Sequence, residues 1–268
     1  MKDTVLKSMS RKALEKIEHK EKIVEKRDKM LRHDFSSERA IFEEVFDRST
    51  LMVIFKFLNK DVIDEIHGVV SAGKESRVYW GKNKKGEELA IKIYLTVSAA
   101  FRKGMLKYIQ GDHRFKSIKH NTRALISTWA MKEFRNLEQA TRAKVRVPKP
   151  VIVKKNVLVM EFIGENGISA PTLKAQSPKN PKQIYNTILS DLKRLYQKAE
   201  LVHGDLSEYN VMVFNERPVL FDMSQSVPIS HPLASSLLNR DLTNLNRFFA
   251  KLGVKVSPIE ESYQKVVE

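Results

Sequence analysis

The stretch 201-LVHGDLSEYNVMVFNERPVLFDMSQSV-227 decides how the rest of the chain is read. Asp205 and Asn210 stand five apart in a short polar loop, and Asn210 opens an apolar run, 210-NVMVF-214. A turn at 215–217 and a second run, 218-PVLF-221, then bring Asp222 back beside Asn210. Such a hairpin gathers three oxygen-bearing side chains round one small volume. Asn210 and Asp222 are hard ligands of the kind Mg2+ takes, while Asp205 is placed to accept a hydroxyl proton. The bland alternative is a polar hairpin end with a His-Gly-Asp turn.

Upstream, 88-ELAIKIY-94 alternates so that Ala90, Lys92 and Tyr94 share one side of a strand. A lysine in an apolar strand needs an anion, unless the strand is an edge whose lysine faces water. Glu133 is a candidate for that anion, unless it is a flank residue reaching out to water. It falls in the apolar sector of a helix expected over 125–143, on one face with Ala130, Phe134, Leu137 and Ala140. Between strand and helix, residues 96–124 hold seven Lys/Arg and one acid, Asp112, and read as a flexible basic loop.

Further upstream, 68-GVVSAGKES-76 opens like the phosphate-binding pattern G-x-x-x-x-G-K-[ST], but Glu75 stands where the hydroxyl belongs. Residues 77–82 read as a strand, whereas a P-loop feeds a helix. The match is coincidental in spacing, and the segment reads as a turn between strands. Asn83-Lys-Lys-Gly86 closes the next hairpin, an apolar helix is expected over 49–58, and another over 181–198.

A glycine-containing turn, a strand lysine, a helix glutamate, H-x-D-x-x-x-x-N and a later aspartate form the protein-kinase order of parts. Each answers a need of phosphoryl transfer: cations on phosphates, metal ligands, and a carboxylate orienting the attacking hydroxyl. The departures are specific. Gly204 replaces the usual arginine, Asp222-Met-Ser replaces D-F-G, no A-P-E follows, and 46 residues remain after Asp222. That leaves little chain for an activation segment with a peptide platform, so a compact phosphotransferase or an ATPase is expected.

Composition bounds the setting. Among 268 residues, 42% are apolar, which suits a folded chain with a real core. There is no cysteine, which excludes disulfides and thiolate chemistry, and no apolar run long enough for a membrane span or a signal peptide. A cytoplasmic protein is the expected setting. The formal net charge of +16 suggests a polyanionic partner such as RNA or a ribonucleoprotein, the alternative being a merely basic soluble protein. Residues 1–33 alone carry eleven Lys/Arg against six Asp/Glu flanking a thin apolar helical stripe, either a mobile basic arm or a helix laid on the body or a partner, and a further helix is expected from Ser36.

The strings 71-SAGKESRVY-79, 132-KEFRNL-137, 160-MEFIGENG-167, 202-VHGDLSEYN-210 and 222-DMSQSV-227 resemble the RIO family of atypical serine/threonine kinases, in its Rio-one subgroup. The resemblance implies an α+β, bilobal protein-kinase-like fold. A basic helical extension (1–60) would precede an N-lobe (61–163) with a five-stranded antiparallel sheet and the loop 96–124. A reduced, mainly helical C-lobe (164–268) would follow. It implies ATP and Mg2+ as cofactors. Lys92 would contact phosphates and Glu133 would hold Lys92. Glu161 and Ile163 would offer hinge backbone groups to adenine, with Met160 behind. Ser71, Lys74 and Ser76 would lie over the triphosphate. Asp205 would be catalytic, Asn210 and Asp222 would bind Mg2+, and Asp222 could take the phosphoryl group. Autophosphorylation, with Ser117 and Thr122 as acceptors, and work on the pre-ribosomal small subunit and its rRNA follow from the same likeness. The chain would act as a monomer or weak dimer. A small-molecule phosphotransferase of the aminoglycoside or choline kinase type shares H-G-D-x-x-x-x-N and is the competing expectation.

Overall fold

The computed structural model describes residues 46–95, 99–115 and 121–268. The expected helices over 1–33 and from Ser36, and the acceptor Ser117, lie outside the described residues. The chain divides into two units, Met1–Gly68 with Gly81–Glu87, and Val69–Trp80 with Glu88–Glu268.

In the smaller unit, helix α1 (Arg48–Asn59) starts at Asp47, whose carboxylate accepts from the Thr50 N–H at 2.8 Å. Val53, Ile54, Phe57 and Leu58 make its buried stripe. The Asn83–Gly86 turn is closed by the Gly86 N–H on the Asn83 carbonyl at 2.9 Å, and Asn83 Oδ1 also caps the N–H groups of Lys85 and Glu87.

The sheet strands are β1 (Glu65–Ala72), β2 (Ser76–Lys82), β3 (Glu88–Tyr94), β4 (Pro150–Lys154) and β5 (Val157–Glu161). Their order is β1-β2-β3-β5-β4, five strands as expected. β5 runs antiparallel to both β3 and β4, with Lys92 opposite Leu158 and Ala90 opposite Met160.

Helix α2 (Ala99–Ile109) is a correction to the loop read over 96–124. Met105, Tyr108 and Ile109, at i, i+3 and i+4, are buried in the main core. The surrounding basic residues hid that short apolar face. A single 3-10 turn, His113–Phe115, follows it. Helix α3 (Thr122–Arg142) is capped by Asn121 and buries Leu125, Ile126, Trp129, Ala130, Glu133, Leu137 and Ala140.

After the short pair β6 (Gly164–Glu165) and β7 (Ile168–Ser169), helix α4 (Pro181–Gln197) begins with Pro181 behind the Asn180 cap. Strand β8 (Leu201–Val202) leads into the loop at 203–210, and β9 (Val211–Phe214) and β10 (Arg217–Leu220) form the expected hairpin. Its turn residues Asn215 and Glu216 both have positive φ (51° and 57°), the backbone a two-residue hairpin demands. β11 (Val227–Pro228) pairs back onto β8, closing the loop region from both sides. Helices α5 (Ala234–Lys251) and α6 (Ile259–Val267) complete the chain. Leu192, Leu195, Leu238, Leu242, Leu245 and Phe249 belong to one core cluster with the apolar face of α3.

Candidate active site

Strand alternation turns Ala90 and Lys92 toward a cavity of about 610 Å³, while Ile91 and Ile93 are buried on the opposite face. Lys92 Nζ lies 2.9 Å from Glu133 Oε1 and 3.0 Å from Asp222 Oδ1. The Tyr94 hydroxyl, on the same strand, donates to the other oxygen of Glu133. Burial of Lys92 opposes its charge, but the two carboxylates override this and hold the ammonium above its usual range. Glu133 is pushed up to about 7 by burial and by the negative charge of Asp222, with Lys92 opposing. Asp222 is the reverse case: despite burial, Lys92 and a 2.9 Å bond from the Ser224 hydroxyl hold it below the normal carboxyl range. Its side chain keeps 40% of its surface exposed.

The loop at 203–210 is fixed by its backbone. Asp241, facing inward from α5, accepts from the Gly204 N–H at 2.7 Å and the Leu206 N–H at 2.9 Å, and burial pushes it up to about 7. Asn244 donates to the Leu206 carbonyl at 3.1 Å, and Arg240 donates to the Gly204 carbonyl. Gly204 has φ +79°, and a Cβ there would stand 2.8 Å from the Gln225 carbonyl oxygen. This accounts for glycine in place of the usual arginine. His203 is wholly buried, with Nε2 at 3.2 Å from the Phe221 carbonyl, and burial lowers it to about 4, so it is neutral near pH 7.

Asp205 Oδ2 accepts from Gln225 Nε2 at 2.9 Å and from Asn210 Nδ2 at 3.2 Å. Burial, then repulsion from Asp222, raises its pKa, with Arg240 opposing. The Phe221 N–H binds the Asn210 carbonyl at 3.1 Å, which ties Asn210 to the residue before Asp222. Among the described residues, neither Asn210 Oδ1 nor Asp222 Oδ2 accepts a hydrogen bond.

Of the sequence-expected residues, Ser71, Lys74, Ser76, Lys92, Glu133, Met160, Glu161, Ile163 and Asp222 line the cavity. Asp205 and Asn210 do not; they lie on the 203–210 loop, bonded to each other. Gly73–Glu75 is a bare turn between β1 and β2, closed by the Gly73 N–H on the Ser76 carbonyl at 3.0 Å. A strand follows it, as expected for a flap rather than a P-loop. Glu161 sends its carboxylate to Arg146, two bonds of 2.9 Å each, and to the Lys149 N–H at 3.0 Å. Ile163 is buried, yet its N–H donates to no described residue. A buried N–H without a partner at a cavity wall is open to pairing with a ligand.

No role at the site was expected from sequence for Tyr94, Lys132, Asn136, Gln225, Arg240 or Asp241. Asp241 carried a legible signal, since it shares the apolar face of α5 with Leu238, Leu242 and Leu245. Lys132 and Asn136 flank Glu133 on the buried side of α3 in the same way. Burial lowers the Lys132 ammonium to about 7.

The profile of the RIO domain spans residues 77–262. The chain belongs to the RIO domain family. Among RIO relatives, the RIO-type serine/threonine-protein kinase Rio1 of Methanocaldococcus jannaschii is 40% identical over 263 residues, covering 92% of this chain and 88% of that one. The human serine/threonine-protein kinase RIO1 is 38% identical over 252 residues, with 92% of this chain but 44% of the human protein covered. The chain thus spans under half of its human relative, and the Rio1-named relatives place it in the Rio-one subgroup. The Rio2 kinase of Chaetomium thermophilum, solved as an ADP/Mg2+-phosphoaspartate complex, superposes with a TM-score of 0.61 at 20% identity. That match covers 80% of this chain and 65% of the Rio2 chain, and the fold is therefore kinase-like.

Proposed function

We propose that this chain is an ATP-dependent serine/threonine protein kinase and ATPase of the RIO type. One observation carries the reading: Lys92 joins Glu133 to Asp222 at the wall of a cavity, and the loop holding Asp205 and Asn210 is tied to Phe221, the residue before Asp222. Adenine is expected between Met160 and the backbone of Glu161 and Ile163, whose free N–H suits a ring nitrogen. Ser71, Lys74 and Ser76 cover the triphosphate, and Lys92 neutralises it. The unengaged oxygens of Asn210 and Asp222 suit a hard divalent cation, so these residues would hold Mg2+, which shields phosphate charge. Asp205, raised in pKa by burial and by Asp222, orients a hydroxyl or water and accepts its proton.

Family likeness supports two finer statements. Asp222 accepts the phosphoryl group during ATP hydrolysis, and the chain phosphorylates itself, with Thr122 at the start of α3 and Ser117 as acceptors. The positive charge and the Rio1 relatives support work on the small ribosomal subunit in the cytoplasm. The lobes are read as 61–163 and 164–268 behind an extension at 1–60.

Incubation of the purified chain with labelled Mg-ATP tests the core of this reading. Phosphate release or self-labelling is expected without any added alcohol, and Asp205→Ala is expected to cut it at least about 100-fold while ATP still binds. Strict dependence on a small alcohol would establish the aminoglycoside- or choline-kinase alternative instead. Label resistant to hydroxylamine would remove the aspartyl-phosphate and leave hydroxyl transfer.

A further inference from the structure

Helix α3 grips the loop after Asp222 at two further points. Lys132 Nζ donates to the Ser224 carbonyl at 3.1 Å and also to the Ser226 carbonyl. Asn136 Nδ2, one turn along, donates to the Met223 carbonyl at 2.7 Å and to the Ser226 carbonyl at 3.0 Å. Both side chains are fully buried, at 0% exposure. Four side-chain bonds thus hold three carbonyls of a four-residue segment. The residue before that segment needs such support. Asp222 has φ 58° and ψ 60°, a left-handed backbone that strains a non-glycine residue and persists only where its surroundings hold it.

We propose that Lys132 and Asn136 are positioning residues for the Asp222 carboxylate, clamping residues 223–226 so that Asp222 stays in its left-handed conformation. This rests on the reading of Asp222 as a metal ligand. The clamp has a second arm. Asn136 Oδ1 accepts from Arg114 at 2.9 Å, and Arg114 is itself pinned by Asp112 at 2.7 Å and by Gln139. The turn following α2 is therefore wired into the geometry of Asp222. A lysine that merely filled the core could be exchanged for an apolar side chain of equal length with no effect on the metal site.

Manganese binding to the ADP complex, followed by electron paramagnetic resonance, separates these roles without relying on turnover. Lys132→Met and Asn136→Leu are expected to weaken Mn2+ about tenfold or more, as loss of support behind a metal ligand does. ADP binding in EDTA should stay within about twofold. Arg114→Leu should shift Mn2+ in the same direction by a smaller factor. Unchanged Mn2+ affinity in the first two variants, or an equal loss of metal-free ADP binding, overturns the proposal. If those variants do not fold, Arg114→Leu decides, and Mn2+ affinity equal to wild type overturns it. Wild-type chain that binds no Mn2+ with ADP brings down the metal-ligand reading itself, a failure visible before any variant is made.

Discussion

Lys92 has one positive charge to divide between two carboxylates, and their surroundings decide the division. Glu133 is the deeper, with 1% of its side chain exposed against 40% for Asp222, so desolvation weighs more on Glu133. Asp222 keeps its charge at the open end, where a metal and phosphate would meet it. Removing one partner of a buried pair leaves the other uncompensated, typically at about 3–5 kcal/mol. The Lys92–Glu133 pairing was legible because both residues break an apolar pattern. Tyr94 was placed on the correct side of its strand, but nothing in a strand pattern signals that its hydroxyl completes Glu133. His203 supports a pH prediction. Its pKa falls from 6.5 to about 4 on folding, so the unfolded chain binds more protons between those values. Stability is then fully present above about pH 6.5 and is lost as pH falls toward 4, by about 3 kcal/mol. Urea denaturation at pH 7 and pH 4 should show His203→Gln losing less on acidification than wild type. An equal loss would mean that the buried imidazole is not the acid-sensitive group.

Helices were read best where apolar spacing was clear, as at α3, where Ala130, Glu133, Leu137 and Ala140 of the expected face are buried and Phe134 is half-buried. They were missed where charge dominated, as at α2. Helix α5 shows what an element adds beyond its apolar stripe. Its one acid, Asp241, binds two N–H groups of the 203–210 loop through separate oxygens. Asparagine there keeps the shape but turns an NH2 group against one of those donors. The lost bond and the unpaired N–H cost about 1–3 kcal/mol. Because the bonds hold the backbone on both sides of Asp205, Asp241→Asn should lower kcat about 10- to 100-fold with little change in KM for ATP. A raised KM at unchanged kcat would place Asp241 outside the transfer step.

For the whole molecule, the +16 charge is a property that no single element explains. No helix among the described residues is long and apolar enough to cross a membrane. If the surplus serves a ribosomal RNA partner, the affinity for a structured RNA should fall linearly in a log–log plot against salt, with slope near −0.7 to −0.9 per phosphate neutralised. A filter-binding titration from low to high KCl measures this, and a flat line would remove RNA as the reason for the charge. Such a property is visible in composition but not assignable from it, since surface charge says nothing of shape. The kinase order of parts was legible because phosphoryl transfer constrains residue type and sequence order together. The loop contacts of Gln225 and Arg240 were not, because they depend on three-dimensional neighbours far along the chain.

The hairpin of β9 and β10 carries one more consequence. Asn210 and Asp222 flank its open end, where Leu220 pairs with Val211, and the turn at Asn215–Glu216 sits at the closed end. The spacing of these two side chains is therefore set by how the strands pair, and the number of residues joining them is free to vary. Lengthening both strands equally, or grafting a loop at the turn, preserves the juxtaposition. Adding one residue to a single strand slips the register and turns one of the two side chains to the opposite face. The hairpin tip is thus a place where the chain can tolerate a grafted loop without its chemistry being altered.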